Sequence, residues 1–242
     1  MIKKVIDLKI LAIDTSSQIC TVCICEDTEV LIELNDDNEK THSQKLMPMI
    51  QEAFEKVNLS LDNINLLACS QGPGSFTGVR IGISTAKAFS DAKNIPVIGV
   101  SSLEGLAYNL NSNGLICSLI DAKNNNVYYG LFEFENNCLK NNIILSSDNI
   151  SSTIEYIINL QTQYNSINFV GDGACLYKDL IISKLSNKFN NILFPENSKN
   201  FACSISIAKS AYNRYKNGEF GYSNSLVPLY LRPSQAERNI KG

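Results

Sequence analysis

The sequence predicts an α/β protein built from two related halves, and three observations carry that prediction. An apolar segment that ends on aspartate and leads through a turn into another strand occurs twice, at Ile10–Asp14 and at Leu115–Asp121. Strand-like and helix-like patterns alternate along most of the 242 residues, the order that builds open sheets covered by helices. A glycine-rich joint, Gln71-Gly72-Pro73-Gly74-Ser75-Phe76-Thr77-Gly78-Val79-Arg80-Ile81-Gly82, holds four of the 13 glycines and marks the sharpest corner in the chain.

Composition sets the outer limits. Apolar residues at 44% and charged residues at 19% are those of a globular chain with a real core. The formal charge of -3 comes without a basic stripe or charge block, so this chain alone is not expected to grip nucleic acid or a membrane surface. The opening Met1–Asp7 soon turns polar and does not read as a signal peptide, and no run of about 18 apolar residues suggests a span. Cys20-Thr21-Val22-Cys23 has C-x2-C spacing, but it lacks a second half and sits in a strand pattern. Zinc is therefore not expected, and the eight cysteines read as reduced cytoplasmic thiols.

In chain order, Ile10–Asp14, Thr21–Cys25 and Glu29–Leu34 read as strands, the last two joined at Glu26-Asp27-Thr28. After a polar loop, His42–Val57 is helical, with Leu46, Met49 or Ile50, Ala53 or Phe54 and Val57 recurring on one face. Pro48 falls early enough to be tolerated. Strand Ile64–Ser70 delivers the chain to the glycine joint. A helix from Thr77 to about Asp91 leaves it, with Ser75 and Thr77 as capping candidates. Strand Ile95–Val100 follows, then a helix capped by Ser101-Ser102 and running to Leu110, with Glu104 near its positive end. Asn111–Gly114 reads as a boundary, giving subdomains 1–110 and 111–242, with the last helix able to pack back on the first. Beyond it come strands Leu115–Asp121 and Val127–Phe134, a polar loop over Glu135–Asp148, and helix Ser151–Leu160. Strand Ile167–Val170 ends in Gly171-Asp172-Gly173, and one helix spans Ala174–Leu185. Phe194-Pro195 lies in a loop, helix Ser204–Lys216 follows, and Val227–Pro233 is a proline-punctuated tail.

Two constellations suggest chemistry. Asp14-Thr15-Ser16-Ser17 and Asp121 occupy strand ends where short hydroxyls and backbone amides cradle phosphate and an aspartate holds Mg²⁺ through water. The competing reading is that each aspartate only ends a strand and caps its turn. The glycine joint has no Gly-Lys-Thr/Ser ending and no G-x-G-x-x-G, so it is neither a P-loop nor a dinucleotide fingerprint. Packing or an interface explains it better than an anion site, although Arg80 could hold an anion or pair with Glu104. His42 is the only histidine; it excludes a His-pair metal site within the chain and reads as a capping or packing residue. Lys87 has no obvious acidic partner. Met47, Met49, Ile81, Ile83, Ala86, Ala88 and Phe89 exceed what one buried stripe needs, which points to burial on two sides or to a partner.

Several of these stretches together resemble the bacterial TsaB (YeaZ) family. They are Leu11-Ala12-Ile13-Asp14-Thr15-Ser16, His42-Ser43-Gln44-x-Leu46-x-Pro48, the joint from Gly72 to Gly82, and Ile95–Leu103. Asp121-Ala122-Lys123, Val127-Tyr128-Tyr129 and Pro228-Leu229-Tyr230-Leu231-Arg232 fit as well, while residues 135–220 are weakly covered. The resemblance implies an actin-like (ASKHA, ribonuclease H-like) fold of two related subdomains. It implies a non-catalytic scaffold, without a cofactor or metal, for threonylcarbamoyl transfer to adenosine 37 of tRNAs reading codons that start with A. The partners so implied are a TsaD-like enzyme, a TsaE-like ATPase and a second copy of the chain, with tRNA met only through the complex. The shared interface would map to His42, Leu46, Met49, Ile50, Phe76, Val79, Arg80, Ile83 and Lys87. Asp14, Thr15, Ser16 and Asp121 would mark a vestigial nucleotide cleft. The histidine pair of the TsaD motif Val-x-His-Leu-Glu-Gly-His falls here on Ser102 and Leu106, and neither can replace an imidazole at a metal. The alternative is a stand-alone, metal-independent ATPase or a peptidase-like enzyme.

Overall fold

The computed structural model describes residues 7–38 and 40–232; Pro233 of the expected tail and the outer ends of both expected subdomains lie outside the described residues. The chain forms two compact units, one containing the residues up to Asn109 together with Phe201–Pro228, the other Leu110–Asn200 and the residues from Leu229.

In the first unit, β1 (Lys9–Asp14), β2 (Cys20–Glu26), β3 (Glu29–Asp36), β4 (Leu66–Ser70) and β5 (Val97–Val100) form one sheet in the order β3-β2-β1-β4-β5. β1 pairs antiparallel with β2 and parallel with β4, and β4 pairs parallel with β5. Both faces of β1 are buried, which is why its sequence is a continuous apolar run rather than an alternation. Leu11 and Ile13 face one core and Ile10 and Ala12 the other, the period of two expected of a strand.

Helix α1 (His42–Val57) starts with a capping box between Thr41 and Gln44 and ends at Asn58 in the left-handed region, φ 53°. Its buried stripe of Leu46, Met49, Ile50 and Ala53 enters the first core, each large side chain contributing about 1.5–3 kcal/mol relative to exposure. Helix α2 (Phe76–Lys93) is capped by Ser75, whose hydroxyl accepts from the Gly78 amide at 3.2 Å, while Thr77 lies inside the first turn. It begins and ends within two residues of the expected span. Helix α3 (Ser102–Tyr108), capped by Ser101, completes this half.

The second unit repeats the plan. Strands β6 (Gly114–Asp121), β7 (Asn126–Glu135), β8 (Cys138–Asn149), β9 (Ser166–Val170) and β10 (Asn191–Leu193) form a sheet in the order β8-β7-β6-β9-β10. The two sheets therefore share one strand order and one pattern of parallel and antiparallel pairs, the duplicated ribonuclease H-like plan of the actin-like fold. Helix α4 (Ile150–Ile158) follows β8, and α5 (Asp172–Leu176) and α6 (Lys178–Leu185) follow β9.

Two expectations are corrected here. The stretch read as a polar loop, 135–148, is mostly the twelve-residue strand β8. It forms a hairpin with β7 through Asn136 and Asn137, both at positive φ, the geometry of a two-residue turn. Its alternation was hidden because it is a half-exposed edge strand whose register shifts twice against β7. The single helix expected over Ala174–Leu185 is broken at Tyr177, φ -105° and ψ 17°. Ala174 then docks before the break, and Ile181 and Leu185 enter the core after it. Phe194-Pro195 lies in a loop as expected, and β10 just before it is too short to leave a pattern.

The last helix, α7 (Ser204–Lys216), belongs to the first unit and covers the second face of its sheet through Ile207, Ala208 and Ala211. Among the described residues no helix is long and apolar enough to cross a membrane, and all eight cysteines are free thiols.

Candidate partner interface

The glycine joint locks the end of β1 to both long helices of the first unit. The Thr15 hydroxyl donates to the Gly78 carbonyl at 2.7 Å, and the Ser75 amide donates to the Ser16 carbonyl at 2.6 Å. His42, at the start of α1, has its Nε2 2.8 Å from the Ser17 carbonyl; a carbonyl only accepts, so Nε2 carries the proton. A Cβ built on Gly74 would lie 2.1 Å from the Ser16 carbonyl oxygen, and one on Gly78 2.1 Å from that of Thr15. Only glycine permits this approach.

Within the β1 turn the polar groups are engaged by the protein itself. Asp14, 2% exposed, accepts from the Ser16 amide at 2.8 Å. Burial pushes its carboxyl above the usual range, and hydrogen bonds from Ser16 and Ser70 oppose that push. The Ser70 hydroxyl lies 2.7 Å from that of Ser102. Ser102 therefore sits in a buried hydroxyl pair, and Leu106 beside it is 6% exposed. Among the described residues no group of three or more His, Cys, Asp and Glu is placed to hold a metal.

The corresponding turn of the second unit is more open. Asp121 accepts from the Lys123 amide at 2.9 Å and from its ammonium at 2.7 Å, with the Lys123 side chain 82% exposed. Asp172 accepts from the amides of Asp121 at 3.0 Å and Gly173 at 2.7 Å. Its burial raises its carboxyl against those two bonds. The sequence marked Gly171-Asp172-Gly173 as a strand end; its register against Asp121 needed the fold.

The pairing of Glu104 with Arg80 does not occur. Glu104 is buried and accepts from the Ser210 hydroxyl of α7; desolvation raises its carboxyl, with Ser210 and then Arg214 opposing. Arg80 instead lies on the outer side of α2 with its guanidinium 3.9 Å from the centre of the Phe76 ring, a cation–π stack.

The residues expected at an interface divide by depth. Leu46, Met49, Ile50, Val79 and Ile83 fill the first core and stay buried. His42 and Lys87 are half-buried, Arg80 is exposed, and Phe76 is 43% exposed. Met47, 49% exposed, joins the exposed set; it lies one position past Leu46 and so turns away from the buried stripe. Two shallow grooves run over α1 and α2 and share Met47. One, of about 540 Å³, is lined by Phe76, Arg80 and Ile81 among others, and the second, of about 460 Å³, by Phe54, Glu55, Leu59 and Phe89 among others.

A protein-family model described as "TsaD: tRNA N6-adenosine threonylcarbamoyltransferase" matches residues 36–240. The chain is 29% identical over 232 residues to the tRNA threonylcarbamoyladenosine biosynthesis protein TsaB of Bacillus subtilis, spanning 95% of this chain and 96% of that protein. It is 31% identical over 230 residues to the TsaB of Buchnera aphidicola subsp. Baizongia pistaciae, spanning 92% and 97%. A Pseudomonas aeruginosa structure described as having similarity to peptidase YEAZ superposes with a TM-score of 0.75 at 21% identity, over 93% of this chain and 100% of that one. That likeness shows the shared actin-like fold. The chain belongs to the TsaB family, related to TsaD.

Proposed function

We infer, from membership of the TsaB family, that the chain is the non-catalytic subunit a TsaD-like enzyme requires for threonylcarbamoyl transfer to adenosine 37 of tRNAs reading codons that start with A. The observation that carries the reading is the outer face of α1 and α2. Met47, Phe76 and Arg80 are exposed there above a core that Leu46, Met49, Ile50, Val79 and Ile83 already fill. An apolar surface beyond the needs of the fold is what a partner covers. On this reading α1 and α2 meet the enzyme, His42 and Lys87 lie within the same face, and a second copy of the chain competes for it. A TsaE-like ATPase joins the complex, tRNA is held by the assembly, and the work is done in the cytoplasm. Asp14, Thr15, Ser16 and Asp121 are proposed as vestiges of nucleotide-binding ancestry. The engagement of the Asp14 turn by Ser16, Ser70 and Gly78 supports structural duty over turnover.

Reconstitution tests this directly. The TsaD-like enzyme, the TsaE-like ATPase, ATP, threonine, bicarbonate and tRNA, with an enzyme supplying threonylcarbamoyl-adenylate, are combined with and without the chain. Omission should lower the modification rate at least about tenfold, the effect of roughly 1.4 kcal/mol on a barrier. Equal rates without the chain would sink the reading.

A further inference from the structure

Two thiols meet beneath α7 on the second face of the first sheet. Cys23 and Cys25 lie two positions apart on β2, so their side chains leave the same face of the strand. They enter the core shared with Ile10, Ala12, Ile207 and Ala208. The two sulfurs are 3.7 Å apart, and the residues are 0% and 3% exposed. Residues two apart on an extended strand have Cα atoms roughly 6.4–6.8 Å apart, at the long end of the roughly 4.4–6.8 Å that a disulfide spans. The strand is also irregular at this point. Its register against β3 shifts between Ile24 and Cys25, and such a shift adds local twist.

The two thiols differ in acidity. Burial pushes the Cys23 thiol up. The Cys25 thiol is held below its ordinary value, first by the hydrogen bond from Cys23, with burial and Glu33 opposing and Lys209 of α7 assisting. Cys25 also stands near the end of β2, two residues before the turn at Asp27. Cys69 and Cys117 are buried as well, but burial pushes both of their thiols up, the setting of an inert structural cysteine. We propose that Cys23 and Cys25 form a redox modification site, closed by a peroxide into an intrastrand disulfide and opened again by a thiol reductant. The Cys25 thiolate attacks one peroxide oxygen, the O–O bond breaks, and the other oxygen leaves as water after taking a proton, which gives a sulfenic acid. The Cys23 sulfur then attacks the Cys25 sulfur. The S–S bond forms, the S–O bond breaks, and the hydroxyl leaves with the Cys23 proton as a second water. Two thiols have lost two electrons and one peroxide has become two waters. Two external thiols reverse the change by exchange and leave as their own disulfide.

Thiol mapping on the folded, full-length chain tests the proposal. The protein is treated with hydrogen peroxide, unfolded in an alkylating reagent, digested, and read by tandem mass spectrometry. The segment holding Cys23 and Cys25 should emerge two hydrogens lighter, with neither of these sulfurs alkylated. It should do so at least about tenfold sooner than Cys69 or Cys117 is oxidised, since the thiolate is the reactive form and one pKa unit changes its amount about tenfold. Dithiothreitol added before alkylation should restore both thiols. Cys23→Ser keeps a donor beside Cys25 but supplies no second sulfur, so peroxide should stop at a Cys25 sulfenic acid that dimedone traps. Alkylation of both thiols after treatment, oxidation only in step with Cys69 and Cys117, or bridging of either sulfur to a third cysteine would each overturn the proposal. So would a folded Cys23→Ser variant that gives no dimedone adduct at Cys25. The wild-type map alone is decisive if that variant fails to fold.

Discussion

The two units share a strand order but use their corresponding turns and helices differently. In the first, the strand-end aspartate is buried, the turn is clamped by α2 and His42, and helices of 16 and 18 residues follow β3 and β4. In the second, Asp121 pairs with an exposed lysine, and the helices in the same places have nine residues, then five and eight around a break. The difference teaches where a duplicated fold has been adapted. The first unit builds a broad helical face and anchors it to the sheet through glycine contacts, while the second keeps the plan with shorter helices. At the position matched to the first histidine of the TsaD motif, Ser102 is tied to Ser70 within this same clamped region.

The comparison breaks or sharpens under substitution. The largest effect should come from Gly78→Val, which forces a side chain into the Thr15 carbonyl. A loss of about 3 kcal/mol is expected, at the upper end of overpacking costs. Gly173→Ala in the second unit meets Leu119 at 3.0 Å, a tight but less severe contact, and should cost about 1 kcal/mol. Chemical denaturation of both variants measures the difference; equal losses would mean that the two turns are anchored alike.

A middle effect concerns the buried carboxyl that ties α3 to α7. Glu104 has a folded-state pKa raised above its ordinary value of 4.5, first by desolvation. The neutral form is therefore favoured on folding. Its contribution is fully present below the unfolded value and is lost as pH rises through the folded one. Glu104→Gln keeps an acceptor for Ser210 and carries no charge. Its melting temperature should match the wild type in acid and exceed it increasingly toward neutral pH. A difference that stays flat with pH would refute the assignment. Asp172, in the second unit, is likewise raised by burial, against two backbone amides, and Asp172→Asn, whose Oδ1 can accept from both, should show a gain of the same sign.

The smallest effects separate the two strand-end turns. Thr15→Val removes the buried bond to the Gly78 carbonyl and should cost about 1 kcal/mol. Asp121→Asn disrupts a pair whose lysine is exposed and should cost less than Thr15→Val. A larger loss for Asp121→Asn would reverse the contrast between a clamped and an open turn.

Residue patterns alone determined the repeated strand-Asp-turn-strand plan, both long helices, the Ser75 cap of the second, and the kinship carried by the glycine joint and the stretches around it. They did so because apolar periodicity, glycine and capping residues act over a few positions along the chain. The same local signals failed for β8, whose half-exposed edge and shifted register leave no clean alternation, and for the break at Tyr177. The tertiary structure decided depth. Met47 and Met49 are equivalent in composition, yet one is 49% exposed and the other 6%. It also decided partners: Arg80 stacks on Phe76 and Glu104 reaches Ser210 on a helix 106 positions away. Burial and long-range pairing depend on which elements pack together, and that is settled only when the whole sheet closes beneath its helices.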